Sequence, residues 1–227
     1  MGFPKALLRY REESFLDTLI GLFAARCQPV IVVLGAHSDR IREHTLRPAA
    51  FVVNADYQRG QTSSMQCGLR AVPPGADGVL FTLVDHPAVA PATLDALLGG
   101  PGPRDSDVAR ESSHAGETAC ATTVTGLPSM VGQAVSPGTT ACGGIVYGCS
   151  GTDPLLRVPR YQGRRGHPIW FSRDLIAEFL GLRENGVARE IVRAHAAQTE
   201  FLDVDDPGIL ADIDDAAAYG RLTGAAL

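Results

Sequence analysis

Three short runs of apolar, largely β-branched residues alternate with segments of helical periodicity between residues 14 and 97, and this alternation limits the fold more than any other feature. Pro29-Val30-Ile31-Val32-Val33-Leu34 is apolar at every position, the pattern of a strand buried on both faces of a parallel sheet. Gly35 ends it. Ahead of it, Ser14 stands three residues before Asp17, and Phe15, Leu16, Leu19, Ile20, Leu22 and Phe23 recur at helical spacing. That predicts a capped helix over 14–25.

The alternation continues with a helix over 38–44, a strand over 50–53, a helix over 63–71 and a strand over 79–84. Pro91 suits the first position of a further helix. Strand and helix in turn predict an α/β fold: a mostly parallel, Rossmann-like sheet with right-handed crossovers and helices on both faces. Ligands of such sheets sit beyond the carboxyl ends of the strands, so the loops after Leu34, Val53 and Val84 are the first places to search.

A length of 227 residues suits one domain over 1–227 with an insertion. The insertion is predicted over 99–154, where 11 of the 25 glycines gather and neither helical nor strand periodicity persists. Such a segment is either loosely ordered or a small subdomain with 141–147 as its ordered piece. Beyond it, strands are predicted over 155–161, 169–171 and 201–204. Helices are predicted after Ser172, over 187–197 and after Asp215.

A net charge of -5 argues against nucleic acid or an anionic membrane as the main partner. The five cysteines form no CxxC pair and read as reduced thiols, so the expected compartment is cytoplasmic. No run of about 20 apolar residues is present to span a bilayer.

Four stretches carry residue types suited to chemistry. The strand over 79–84 runs into Asp85-His86-Pro87, where the acid either caps a turn or offers a hard oxygen ligand to a magnesium ion. The stretch from Asn54 through Gly60 to Ser63 and Ser64 leaves a strand and enters a helix. Its serines either cap that helix or, with its backbone N–H groups, seat an anion. Between two strands, Arg164, Arg165 and His167 share a loop with two glycines, either a solvated turn or an arginine fork for a phosphorylated ligand. Near the end, Asp212 and Asp214 precede Asp215. A helix dipole accounts for Asp215 but not for the other two.

Taken together, "MGFPKALL", "NADYQRGQTSSMQCGL", "DHPAV", "YQGRRGHPIWFSRDL" and "DVDDPGILADIDD" resemble, in order, the motifs of the molybdenum cofactor cytidylyltransferase group within the MobA-like nucleotidyltransferases. The resemblance implies a Mg2+-dependent enzyme that transfers CMP from CTP to molybdopterin with release of pyrophosphate. It also implies transient contact with a molybdoenzyme. By matching position it implies that Lys5 neutralises triphosphate charge, that Asp85 is the main metal ligand, and that Asp214, with Asp212, adds the second acidic contribution. Asn54, Gly60, Ser63 and Ser64 then contact the nucleotide, and Arg164, Arg165 and His167 face the acceptor. Two alternatives stand beside this: a guanylyl or sugar-phosphate nucleotidyltransferase, and a catalytically silent protein that binds the molybdenum cofactor.

Three departures accompany the resemblance. Relatives place a strand and a loop of the form L-A-A-G-x-S-x-R ahead of M-G-x-P-K, and the present sequence starts at that methionine. The expectation is a missing first strand and phosphate loop, through a start assigned too late or a trimmed chain, with two neighbouring sheet edges exposed. Where relatives read D-I-D-T-P-E-D, the chain has Asp212-Ile213-Asp214-Asp215-Ala216-Ala217-Ala218. The insertion is also longer than in relatives.

Overall fold

The computed structural model describes residues 3–99, 154–183 and 186–224. Apart from its two end residues, the expected 99–154 insertion, including 141–147, lies outside them.

A 3-10 turn over Lys5–Leu7 leads into a small hairpin of β1 (Arg9–Tyr10) and β2 (Glu13–Ser14). Helix α1 (Phe15–Ala24) follows, with Ser14 Oγ accepting the Asp17 N–H at 3.0 Å as expected. The acid of this cap has a longer-range task. Asp17 is 3% exposed, and one carboxylate oxygen accepts the N–H groups of Leu46 and Arg47, each at 2.9 Å, while the other takes the Ser14 hydroxyl. Three donors satisfy a buried charge that would otherwise be costly.

Strand β3 (Ile31–Leu34), helix α2 (Ser38–His44), strand β4 (Ala50–Val53), helix α3 (Gln61–Leu69), strand β5 (Gly78–Phe81) and helix α4 (Pro91–Leu97) reproduce the predicted alternation. The later part supplies β6 (Leu156–Tyr161), β7 (Arg164–Arg165), β8 (Ile169–Ser172), α5 (Ile176–Leu180), α6 (Ala188–Ala194), β9 (Thr199–Asp203) and α7 (Ala216–Thr223). No described helix is long and apolar enough to cross a membrane.

The fold is the expected Rossmann-like α/β type with helices on both faces, and β5 shows this by alternation. Val79 and Phe81 pack into the cluster formed by α3, α5, α6, β6 and β8, whereas Leu80 packs with α1 and α4 residues on the other side. Pairs β3–β4 and β6–β9 are parallel. Strand β8 instead runs antiparallel between β5 and β6. The reason is its connection: β6 turns back through Gln162-Gly163, both with positive φ, a two-residue hairpin that allows only antiparallel return.

Strands β3 and β5 belong to different sheets among the described residues: β3 pairs with β4, and β5 pairs with β8. Between them lies an apolar cleft of about 390 Å³. Its walls are Val30–Val33 and Gly78–Val84 on two sides, Leu16, Leu19 and Phe23 of α1 on a third, and Met65 and Leu69 of α3 on the fourth. Strand β5 ends at Phe81 rather than at Val84, because β8 pairs only with Gly78–Phe81. Thr82, Leu83 and Val84 border the cleft instead.

Candidate active site

Lys5 is held although it stands so near the first residue. Pro4 accepts the Leu7 N–H and Lys5 the Leu8 N–H, both at 3.0 Å, while Ala6 and Leu8 are buried. Leu8 shares a core cluster with Phe15 and Ile213. That cluster assembles the site. In an extended stretch alternate side chains point to opposite sides. Burying Ile213, 3% exposed, therefore turns Asp212 and Asp214 together to the other side. The Ile213 N–H also donates to the Asp85 carbonyl at 3.3 Å.

The outcome is a convergence of four expected residues. Asp85, Asp212 and Asp214 each present a carboxylate oxygen, all within 4.8 Å of one another. Lys5 Nζ lies 2.5 Å from Asp214 Oδ1 and 3.7 Å from Asp85 Oδ2. Burial pulls the Lys5 ammonium downward, but its hydrogen bond to Asp214 and the charges of Asp85, Asp214 and Asp212 outweigh this and raise its pKa above the usual lysine value. The same hydrogen bond lowers the pKa of Asp214. Asp212 is raised, by burial first and then by the neighbouring charges of Asp85 and Asp214.

Asp215 separates from this group. Its Oδ1 accepts the Ala218 N–H at 2.6 Å and caps α7, as a helix-end acid should.

The donor set fits a divalent cation on three counts. All three ligands are hard carboxylate oxygens. Asp85 Oδ1 is buried without a hydrogen-bond partner among the described residues, an acceptor that a cation would satisfy. Three acids and one ammonium leave an excess negative charge of two, matched by a dication.

A buried histidine, His86, and a half-buried one, His167, lie near Asp85. His86 Nε2 lies 3.9 Å from Asp85 Oδ1, and the His86 and His167 rings are 5.2 Å apart. Burial lowers the His86 pKa despite the nearby acids. His167 is lowered to about 4, by burial first and by His86 second, so both rings are neutral at neutral pH. The Nδ1 atoms of both are buried without a partner among the described residues. The structure thus brings His167 to the Asp85 loop, together with His86, to which the sequence reading gave no role. Its position next to Asp85 in Asp85-His86-Pro87 was the available signal.

Arg164 and Arg165 are placed differently. Both are exposed in β7, Arg165 lies over the Phe201 ring at 4.4 Å, and neither makes an ion pair with the carboxylates among the described residues.

Asn54, Gly60, Ser63 and Ser64 form a second group at the ends of β4 and α3. Asn54 is 6% exposed. Its Nδ2 donates to Ser63 Oγ at 3.0 Å and to Ser64 Oγ at 3.1 Å, while its Oδ1 accepts the Asp56 N–H. Ser63 Oγ donates to the carbonyls of Asp56 and Gly60. Neither serine caps α3, which starts at Gln61 with Gly60 before it at φ 99°. That backbone is open to glycine and strained for other residues. No hydrogen bond or ion pair joins this group to the carboxylate cluster among the described residues.

The signature of the MobA-like NTP transferase domain matches residues 1–135. The chain belongs to the MobA-like NTP transferase family. Among solved structures this MobA-like protein is similar to Rv0371c from Mycobacterium tuberculosis H37Rv, with a TM-score of 0.67 and 25% identity over 99% of this chain and 91% of that one. The complex of Rv0371c with manganese gives a TM-score of 0.63 and 24% identity, covering 99% and 94% of the two chains. Molybdopterin-guanine dinucleotide biosynthesis protein A from Archaeoglobus fulgidus shares the fold, with a TM-score of 0.55 and 10% identity over 98% and 90%. No curated protein matches the chain significantly. Membership makes this a nucleotidyltransferase-type domain, the coarse activity that the motifs implied.

Proposed function

We propose that this MobA-like protein is a cytoplasmic enzyme that transfers CMP from CTP to molybdopterin, releasing pyrophosphate. The observation that carries the reading is the convergence of Lys5 with Asp85, Asp212 and Asp214 from three separate stretches of the chain. The choice of CTP and of molybdopterin rests on the sequence motifs.

In this reading Asp85, Asp212 and Asp214 hold Mg2+. When bound there, the ion would supply Lewis-acid polarisation of phosphoryl oxygens and neutralisation of charge on pyrophosphate. Lys5, kept charged by its acidic neighbours, places a second cation beside the α-phosphate. The reaction needs in-line attack by an acceptor phosphate and dispersal of charge, with no covalent nucleophile on the protein, so positioned cations account for the catalysis. Asn54, Gly60, Ser63 and Ser64 contact the nucleotide through a loop whose shape their hydrogen bonds maintain. His167, with the exposed arginines Arg164 and Arg165, faces the acceptor. Its neutral, half-buried ring, with Nδ1 buried and unpartnered among the described residues, offers an uncharged hydrogen-bonding edge near Asp85. A molybdoenzyme then receives the product by transient contact.

A guanylyl reading is the alternative, favoured by the shared fold with a protein named for molybdopterin-guanine dinucleotide biosynthesis. The test is pyrophosphate release with Mg2+ and each nucleoside triphosphate, with and without molybdopterin. Release with CTP that requires molybdopterin supports the proposal, and release with GTP alone supports the alternative. Molybdopterin binding without turnover under every triphosphate overturns both in favour of a silent carrier.

A further inference from the structure

The three carboxylates come from two stretches far apart in sequence, the 82–90 loop and the 207–215 segment, and something must fix the distance between them. Asp206 connects the two at a point away from the carboxylates. It is 5% exposed. One of its oxygens accepts the Ala90 N–H at 2.8 Å and the Thr93 hydroxyl at 2.6 Å, at the start of α4. The other accepts the Gly208 N–H at 2.8 Å.

Backbone packing reinforces this clasp. A Cβ on Gly208 would lie 2.2 Å from the Ala88 carbonyl oxygen, and one on Gly166 would lie 2.3 Å from the Ile209 carbonyl oxygen. Only glycine permits either approach. The Ile209 carbonyl also accepts the His167 N–H at 3.0 Å. From this turn the chain runs directly to Asp212, Ile213 and Asp214, and Ile213 bonds back to Asp85. A buried carboxylate makes stronger, charge-assisted bonds than a neutral acceptor, which suits a residue that fixes spacing.

We infer that Asp206 is a positioning residue: it sets the separation of Asp85 from Asp212 and Asp214 and thereby the affinity of the cluster for a divalent cation. The inference rests on the reading of these acids as a cation site.

The test is titration of the protein with Mn2+ alone, by calorimetry, in parallel with melting curves. The chains compared are the wild type, Asp206→Asn, Asp206→Ala, Thr93→Val and a distant core control, Phe179→Leu. The wild type is expected to bind Mn2+. Asp206→Ala raises the dissociation constant roughly tenfold, as loss of a supporting shell does, with Asp206→Asn and Thr93→Val shifted less in the same direction. Phe179→Leu lowers the melting temperature without changing Mn2+ affinity. Should Asp206→Ala not fold, Asp206→Asn and Thr93→Val decide. Variants that melt lower yet bind Mn2+ like the wild type overturn the positioning role while leaving the cation site standing. A wild type that binds no Mn2+ overturns the cation site itself.

Discussion

Lys5 and Asp214 are 209 positions apart in the chain, and the lysine Nζ lies 2.5 Å from the aspartate Oδ1. A residue at the start of the polypeptide is thereby a counter-charge to acids near its end. Asp214 is 73% exposed at its side chain, so the pair contributes little to folding. Its value lies in where the ammonium is held. Lys5→Ala is therefore expected to lower kcat about a hundredfold or more, as loss of one preorganised cationic contact does, while the melting temperature hardly moves. Steady-state pyrophosphate release and a melting curve on the same preparation check both halves. Normal turnover in the variant removes Lys5 from the mechanism.

Asp212 is expected to trade stability against cation binding. Its pKa is raised by burial and by the charges of Asp85 and Asp214, which means that the metal-free fold tolerates the ionised form less well than the unfolded chain does. Asp212→Asn removes one of three crowded charges. The variant is expected to melt at or above the wild type without metal, and to gain less than the wild type when Mn2+ or Mg2+ is added. Melting curves with and without the ion measure this, and an undiminished metal-induced gain takes Asp212 out of the ligand set.

Asp212 was marked by a local pattern, alternating acids near a helix start, as Asp85 was by its place after a buried strand, whereas Lys5 was marked by resemblance alone. Helices α2 and α4 and strand β4 begin where predicted for a local reason as well: Ser38, Pro91 and Ala50 sit at local changes of composition. Less local features were not legible. Helix α3 starts at Gln61 because Gly60 takes a positive φ and both serine hydroxyls are engaged by Asn54, an arrangement that no spacing rule encodes. The helix predicted over 187–197 stops at Ala194 and closes in a 3-10 turn over Ala196–Gln198. The pairing of β8 with β5 and the clasp at Asp206 depend on partners up to 116 positions away. The nucleotide and acceptor residues were marked by resemblance, and no hydrogen bond or ion pair joins the Asn54 group to the carboxylates among the described residues.

The pairing of His195 with Glu178 gives stability a pH dependence. His195 Nε2 lies 2.8 Å from Glu178 Oε2, and Nδ1 lies 3.2 Å from Gln198 Oε1. The bond to Glu178, then that to Gln198, raises the histidine pKa above its ordinary 6.5. A raised folded-state value means that the stabilisation is complete below the unfolded pKa and fades as pH climbs through the folded one. The melting temperature is expected to fall from about pH 6 to about pH 8 by more in the wild type than in Glu178→Gln. Parallel slopes for the two chains would show that the pair adds nothing.

The tight pair at the centre of the larger core cluster sets a scale for stability. Phe171 on β8 and Phe179 on α5 are both fully buried, with ring centroids 4.6 Å apart. Phe171→Ala is expected to cost about 3–5 kcal/mol. For a chain of this size that is roughly a 10 °C fall in melting temperature. Denaturant unfolding measures it, and a loss below about 1 kcal/mol means that the cluster repacks around the gap.

Among the described residues the apolar cleft lies between β3, which pairs with β4, and β5, which pairs with β8. Two strand edges and two helices wall it, so an occupant has edges on both sides and apolar cover on both faces. A chain extended ahead of Met1 by five apolar residues and a glycine-rich loop is expected to fill it. Each apolar side chain gains about 1.5–3 kcal/mol on burial, against about 1–2 kcal/mol per residue for ordering the backbone, and the new ladder hydrogen bonds add to the balance. The extended chain should melt several degrees higher. It should also bind less of a dye that reports exposed apolar surface, and it should slow amide exchange in Ile31–Leu34 and Gly78–Phe81. Equal melting, equal dye binding and equal exchange in the two chains would show that the cleft takes no strand from the amino-terminal side.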